Sequence, residues 1–302
     1  MNINFLDDLK NEIIKAFEDN NIPIPTAEKL IVQNKRSKEL KYYIVHNYLE
    51  DLLNHFFTVK SRLIPIIKWN VHISDKLSNC EEIQDIVYKL ENGQDINNLL
   101  SKKVKKINQA KNPDQLKYEW GIYHLHFKES RTSDLLFIYF SGNNAYLIDI
   151  LGHENPNSAI PTWTNTNLIQ ILHDNWPQVI MSKIFQKNSN TPILTIKQRR
   201  NLRKNSGNTT IVVSDRTEYL PLGGGFTTSN HPILSRFKTD SLIQKVINLE
   251  KIVPANIDII KKELINMTTK PNLKLKLDDN FQPIIIEETH NIVLNLKLNK
   301  GF

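Results

Sequence analysis

The sequence has a single cysteine, Cys80, among its 302 residues. One cysteine excludes an intramolecular disulfide framework, a CxxC redox pair and any zinc site that needs several thiolates. The chain therefore fits a reducing compartment. No stretch approaches the ~18–20 uninterrupted apolar residues of a membrane-spanning helix, and the first twenty residues alternate acidic and apolar side chains without a basic leader. We expect no secretory signal, no membrane partner and a cytoplasmic location.

Acidic residues are too few to balance the basic ones. The chain has 39 lysines and arginines against 32 aspartates and glutamates, which gives a net charge of +7. This balance favours polyanionic partners such as nucleic acid. Glycine is also scarce, and three of the 9 glycines form the run Gly223-Gly224-Gly225, which matches neither the dinucleotide-binding pattern nor the P-loop pattern. We therefore expect no cofactor.

Apolar residues at helical spacing dominate the first hundred residues. They predict helices over 4–18 and 37–58. Ser78 and Glu81 form a capping-box pattern, which predicts the start of another helix. The lysine-rich stretch 101–117 contains a proline and interrupts this pattern. It predicts the end of a helical N-terminal region.

The predicted fold class is α+β. We expect a helical N-terminal region over 1–115 and an α+β domain over 116–302, with a sub-boundary near residue 205. Aromatic and β-branched residues after the boundary predict a mainly antiparallel sheet. The predicted strands of its central meander are 118–127, 134–140 and 145–151. An apolar stripe over 168–180, broken at Pro177, predicts the helix that covers this sheet.

Histidine is concentrated in this predicted sheet. His124 and His126 lie two positions apart on the first strand, so both side chains point to the same face. His153 follows the third strand, and Arg131 precedes the second. Imidazoles titrate near neutral pH and suit acid–base chemistry. These residues predict a site at one end of the sheet.

Asp149 interrupts the apolar third strand and is a further candidate for this site. An ionised carboxylate is costly to bury without a partner, so we expect Asp149 to be hydrogen-bonded, protonated or functional. A hairpin turn at Gly142-Asn143 puts Asp149 on the face opposite His124 and His126. A slip of one residue puts all three on the same face. The sequence leaves both registers open.

A basic segment over 197–204 contains five cations and no acidic residue. Thr195 is a candidate N-cap for a helix there. Such density predicts contacts with the phosphate backbone of a nucleic acid, and a solvated helix is the alternative interpretation. The predicted contact residues are Lys197, Arg199, Arg200, Arg203 and Lys204.

Three motifs within residues 118–154 resemble the strand core of RelE-like ribonuclease toxins. They read W-G-I-x-H-L-H, R-x-x-D-L-L-F-x-Y and A-Y-L-I-D-I-x-G-H. The resemblance implies a sheet that holds messenger RNA and promotes attack of a ribose 2′-hydroxyl on the adjacent phosphate. It implies that Arg131 stabilises the phosphorane charge and that His153 donates or accepts a proton. The first motif together with L-x-x-N-W-P is also similar to uncharacterised bacterial proteins, which implies no activity.

Three hypotheses for function follow. The first is metal-independent cleavage of RNA, rather than DNA. In this hypothesis Arg131 stabilises charge, Asp149 belongs to the site, and protons are transferred by His124, His126 and His153. The family resemblance also allows a cognate inhibitor protein as a partner. The second is a non-catalytic module of mobile-element origin that binds nucleic acid or protein. The third is a metal-dependent hydrolase that uses the same histidines, although the sequence has no evident metal site. The sequence does not predict the oligomeric state.

Overall fold

The structure, a computed structural model, is an α+β fold, as the sequence predicts. The residues it describes are 3–26, 40–102, 104–105, 114–153, 162–205, 207–228, 231–266, 268 and 270–294. They form two compact units, one of Met1–Phe57 with Arg236–Phe302 and one of Thr58–Ser235. Within the described ranges, no helix is both long and apolar enough to cross a membrane.

Helices and strands occur in short groups along the described chain. The α-helices are α1 (Phe5–Asp19), α2 (Leu40–Lys60), α3 (Gln84–Glu91), α4 (Gln115–Trp120), α5 (Asn167–Asn175), α6 (Pro177–Ile180), α7 (Ile196–Lys204), α8 (Ile233–Ala255) and α9 (Ile257–Glu263). The strands are β1 (Asn70–Ile73), β2 (Ile122–His126), β3 (Asp134–Ser141), β4 (Asn144–Gly152), β5 (Ile184–Gln186), β6 (Ile211–Val212), β7 (Glu218–Tyr219), β8 (Leu273–Leu277), β9 (Pro283–Glu287) and β10 (Ile292–Val293). Short 3₁₀ turns include Glu81–Ile83 and Thr162–Thr164.

The unit formed by the two ends of the chain packs α1 against a three-stranded antiparallel sheet. The strand order is β10-β9-β8. One face of α1 is fully buried because apolar residues recur at every fourth position, as the sequence predicts. These residues are Phe5, Leu9, Ile13 and Phe17. Asp8, on the same helix, accepts a hydrogen bond of 3.1 Å from the backbone N–H of Leu275 in β8.

The central unit contains a four-stranded sheet of order β1-β4-β3-β2. Strands β2, β3 and β4 form the antiparallel meander that the sequence predicts. Strand β1 pairs with β4 in parallel. The domain boundary predicted after residue 115 falls inside this unit, because β1 comes from the predicted helical region and completes the sheet. Apolar residues of that region, including Ile83 and Leu90, also join the core on one face of the sheet.

The other face of this sheet carries the histidines of β2. Its core includes Ile122, Leu135 and Ile148 from three strands. Helix α5 covers this face with Leu168 and Leu172. Because side chains alternate along a strand, His124 and His126 share the face of Ile122. The covering helix ends at Asn175 and a new helix begins at Pro177, as the apolar stripe and its proline predict.

Two local predictions are wrong. The strand predicted over 118–127 begins only at Ile122, because Asp114 caps α4 by accepting a 3.0 Å hydrogen bond from the backbone N–H of Lys117. Gly121 then ends this helix in the left-handed conformation, at φ 75°. The predicted capping box at Ser78 is also absent. The Ser78 hydroxyl donates to the Asp75 carbonyl, and the helix starts with a 3₁₀ turn.

Candidate functional site

Two histidines and an arginine from different parts of the meander come together at one end of the sheet. His126 ends β2, His153 follows β4, and Arg131 lies in the loop between β2 and β3. The imidazole rings of His126 and His153 stack with their centroids 6.0 Å apart and 25° between their planes. The Arg131 charge lowers the pKa of His126. We call these three residues the histidine–arginine cluster.

His126 is held by the backbone of Thr132. Its Nδ1 lies 3.2 Å from the Thr132 amide nitrogen and 3.1 Å from the Thr132 carbonyl oxygen. The amide donates to an unprotonated Nδ1, and the carbonyl accepts from a protonated one. Both protonation states of the ring therefore have a partner, which suits a group that gains and loses a proton. Burial lowers the pKa of His126, and the Thr132 hydrogen bond partly opposes this.

The two imidazoles of the cluster differ in exposure. His126 is only 6% exposed, whereas His153 is exposed. The backbone N–H of His153 donates to the Ser133 carbonyl at 2.6 Å, which continues the pairing of β4 with β3 by one residue. The cluster therefore presents one accessible imidazole beside one protected imidazole.

Arg131 has an unusual backbone conformation, with φ at 80°. This region costs a residue with a side chain roughly 1–2 kcal/mol. Arg216 is also in this region, at φ 66°, but its guanidinium donates to the carbonyls of Ser189 at 2.6 Å and Thr191 at 3.0 Å. The Nη1 of Arg131 is shielded from solvent and has no hydrogen-bond partner within the described ranges. Arg131 is therefore strained, and its guanidinium has donor capacity left.

His124 faces a second group of ionisable side chains. Its Nδ1 lies 3.9 Å from Oδ2 of Asp114. Burial lowers the pKa of His124, Asp114 raises it, and the charges of Arg62 and His153 lower it. His124 therefore stands between the histidine–arginine cluster and the group around Asp114. The sequence gives no sign that Arg62 lies near His124, because the two residues are far apart in the chain. Asp114 could have been recognised from the sequence as the N-cap of a short helix just before β2.

Asp149 does not join the histidine–arginine cluster. The predicted turn at Gly142-Asn143 forms, and a bulge in β4 then shifts the register by one residue, so that Asp149 is aligned with Phe137. Phe137 is aligned with His124 in β2, so Asp149 and His124 lie on the same face. However, β3 lies between β2 and β4, and two strand spacings amount to roughly 10 Å. Asp149 is half-buried, and its carboxylate accepts from the backbone N–H of Ile150. Burial raises its pKa, and the charge of Lys76 opposes this. The prediction that Asp149 belongs to this site is therefore wrong, and its carboxylate instead makes a local hydrogen bond within β4.

The basic segment forms the predicted helix α7. Thr195 is its N-cap, and Gln198 completes a capping box. Lys197, Arg200 and Lys204 are exposed on this helix. Contact of these three residues with a phosphate backbone stays a prediction.

Two arginines of α7 point inward instead. Arg199 and Arg203 are each 3% exposed, and both pair with the buried carboxylate of Glu119. Their guanidinium carbons lie 5.7 Å and 4.4 Å from the centroid of a Trp120 ring. The prediction that Arg199 and Arg203 bind nucleic acid is wrong. Cations lie on every side of α7, so some of them face the protein interior, and these two pair there with Glu119.

No known protein family, curated protein or solved structure matches this chain. In the part of the chain that the structure describes, no group of three or more histidine, cysteine, aspartate or glutamate side chains is arranged to hold a metal ion. What the site offers is imidazole and guanidinium chemistry.

Proposed function

We propose that this protein cleaves RNA without a metal ion, at the histidine–arginine cluster. The observation that carries the proposal is the strained Arg131, whose Nη1 has no partner in the described chain, beside two stacked imidazoles. Strained residues persist where the surrounding structure holds them, and they concentrate at functional sites. A guanidinium with spare donors is suited to a phosphate, because its planar fork matches the phosphate oxygens.

The proposed reaction uses only groups of the cluster and of the RNA. An imidazole removes the proton from a ribose 2′-hydroxyl, and the 2′-oxygen attacks the adjacent phosphorus. The bond from phosphorus to the 5′-oxygen breaks, and the second imidazole protonates the leaving oxygen. The products are a 2′,3′-cyclic phosphate and a 5′-hydroxyl. The lowered pKa of His126 favours it as the base, and the exposed His153 is then the acid.

Arg131 supplies the charge that this reaction needs. Negative charge builds up on the nonbridging oxygens as the 2′-oxygen attacks, and a preorganised cation stabilises it most in a shielded site. The exposed cations Lys197, Arg200 and Lys204 of α7 would hold the backbone of the RNA. Helix α7 packs against the 162–164 turn, and Thr162 of that turn donates to the Gly152 carbonyl next to His153.

The test is cleavage of an unstructured RNA by the wild-type protein in the presence of EDTA. We expect cleavage to persist in EDTA and to fall by about 10²-fold or more in His153→Ala. Because His153 is exposed, this variant should keep the wild-type melting temperature. Lys128→Ala is the matched control, since it removes an exposed side chain from the same loop as Arg131.

Two results would overturn the proposal. One is salt-sensitive RNA binding without turnover, which would favour the non-catalytic binding module. The other is cleavage that is unchanged in His153→Ala or is abolished by EDTA.

A further inference from the structure

A small cavity lined by both apolar and polar side chains lies beside β2, next to Tyr123 and His124. It offers about 10 Å³ to the centre of a water molecule, which is roughly the space that one buried water needs. Its polar lining includes Arg62, Asp114, Lys117 and His124. These side chains come from α4, from β2 and from the segment after α2.

Arg62, which lines this cavity, has one donor without a partner in the described part of the chain. Its side chain is 8% exposed, and its Nε has no hydrogen-bond partner in the described part of the chain. Its Nη2 lies 4.0 Å from Oδ2 of Asp114, and the same oxygen lies 3.9 Å from Nδ1 of His124. Both distances are too long for direct hydrogen bonds and suit groups that a water connects.

We propose that this cavity binds one water molecule, which accepts from Nε of Arg62 and donates to Oδ2 of Asp114. The water also accepts from Nδ1–H of His124, so three polar groups meet it, as is usual for buried water. A halide fits less well because the carboxylate of Asp114 lines the cavity. Lys117 already has other contacts, since its Nζ lies 3.7 Å from the Tyr123 ring centroid and 3.4 Å from the Gly121 carbonyl oxygen.

Asp114 is then a positioning residue for His124. The water donates to the carboxylate of Asp114, so its oxygen can accept from Nδ1–H of His124. This hydrogen bond keeps the proton of the neutral ring on Nδ1. Carboxylates fix histidine tautomers in this way in many sites. The bound water itself does not depend on catalysis. Its consequence for RNA cleavage, a fixed orientation of the imidazole beside the histidine–arginine cluster, rests on the proposed function.

A crystal structure of the wild-type protein tests the water directly. We expect a density peak within hydrogen-bond distance of Nε of Arg62 and Oδ2 of Asp114. The peak should be absent in Arg62→Lys, which keeps the charge and loses the Nε donor. An empty cavity, a bromide ion there after a bromide soak, or an unchanged peak in Arg62→Lys would overturn the inference. The wild-type structure decides the point even if the variant fails to fold.

The tautomer of His124 tests the positioning role. We expect ¹⁵N NMR to show the Nδ1–H form in the wild type and a shift towards Nε2–H in Asp114→Asn, whose side-chain oxygen can still cap α4. Asp149→Asn is the control, because Asp149 is aligned with His124 in the sheet but separated from it by β3. An unchanged tautomer in Asp114→Asn would overturn the role.

The outcomes for the water and for the proposed function are separable. If the wild type cleaves no RNA but the water and the tautomer shift are found, the proposed function fails and this inference stands. If RNA is cleaved but the tautomer of His124 is the same in Asp114→Asn and in the wild type, the positioning role fails and the proposed function stands.

Discussion

The imidazole rings of His126 and His153 stack with a centroid separation of 6.0 Å. The two strands that carry them are not neighbours, because β3 lies between β2 and β4. The His153 backbone donates to the Ser133 carbonyl, which holds residue 153 beside the start of β3. The two rings therefore meet although β2 and β4 are not paired with each other.

Arg131→Gly should separate activity from stability. Glycine accepts positive φ without strain, so the roughly 1–2 kcal/mol penalty of the left-handed region disappears. The greater freedom of glycine in the unfolded chain offsets roughly half of this gain. We expect urea unfolding to show stability within about 1 kcal/mol of the wild type, while RNA cleavage falls by about 10²-fold or more.

Arg216→Gly is the matched control for that change. Arg216 has the same backbone conformation, but its guanidinium donates to two carbonyls. We expect a loss of about 1–3 kcal/mol in unfolding free energy and no specific loss of cleavage. If Arg131→Gly destabilised the protein as much as Arg216→Gly does, Arg131 would be a structural residue.

The pH profile of cleavage should report the lowered pKa of His126. Burial disfavours its imidazolium form, and Arg131 disfavours it further. A base must be unprotonated to act, so kcat/KM should rise with pH through a pKa below the ordinary value of about 6.5. Arg131→Lys keeps the charge and should preserve this limb, whereas Arg131→Gly should move it to higher pH. A limb above the ordinary histidine value would contradict the role of His126 as base.

Glu119→Gln should strongly destabilise the central unit. The carboxylate is 1% exposed and is the charge partner of both Arg199 and Arg203. Without it, two guanidiniums stay buried with no counter-charge, a loss that usually amounts to about 3–5 kcal/mol. Lys197→Gln, an exposed change on the same helix, should leave the unfolding free energy within about 0.5 kcal/mol. Equal stability of the two variants would contradict the buried ion pair.

The unit of the chain ends should lose stability in acid through Glu287. Its carboxylate accepts from the backbone N–H groups of Asn272 and His290, and these hydrogen bonds lower its pKa to about 2. A depressed pKa contributes stability above the unfolded value of about 4.5, and this contribution is lost as pH falls towards about 2. The urea midpoint of Glu287→Gln should therefore lie well below that of the wild type at neutral pH. The two midpoints should converge in acid, and a constant difference would contradict this origin.

Local patterns predicted the meander and missed what depends on distant residues. The apolar runs of β3 and β4 are sufficient signals, because each strand contains four consecutive buried residues. The start of β2 was misplaced because Tyr118 and Trp120 look like strand residues, although Asp114 directs them into a helix. The pairing of β1 with β4 joins segments far apart in sequence, which no local pattern reveals.

The same distinction applies to the candidate site. Arg131 and His153 both flank strands at one sheet end, so topology alone was enough to bring them near His126. The inward turn of Arg199 and Arg203 depends on Glu119, whose place in a helix was not foreseen. The position of Asp149 depends on a bulge in β4, and a bulge leaves no mark in the spacing of apolar residues.

The most direct measurement is the chemistry of the RNA ends after incubation with the wild-type protein in EDTA. We predict products with a 2′,3′-cyclic phosphate and a 5′-hydroxyl, and no cleavage of the same sequence with 2′-O-methyl riboses. RNA that stays intact, products that end in a 3′-hydroxyl, or cleavage of the 2′-O-methyl strand would contradict attack by the 2′-hydroxyl at the histidine–arginine cluster.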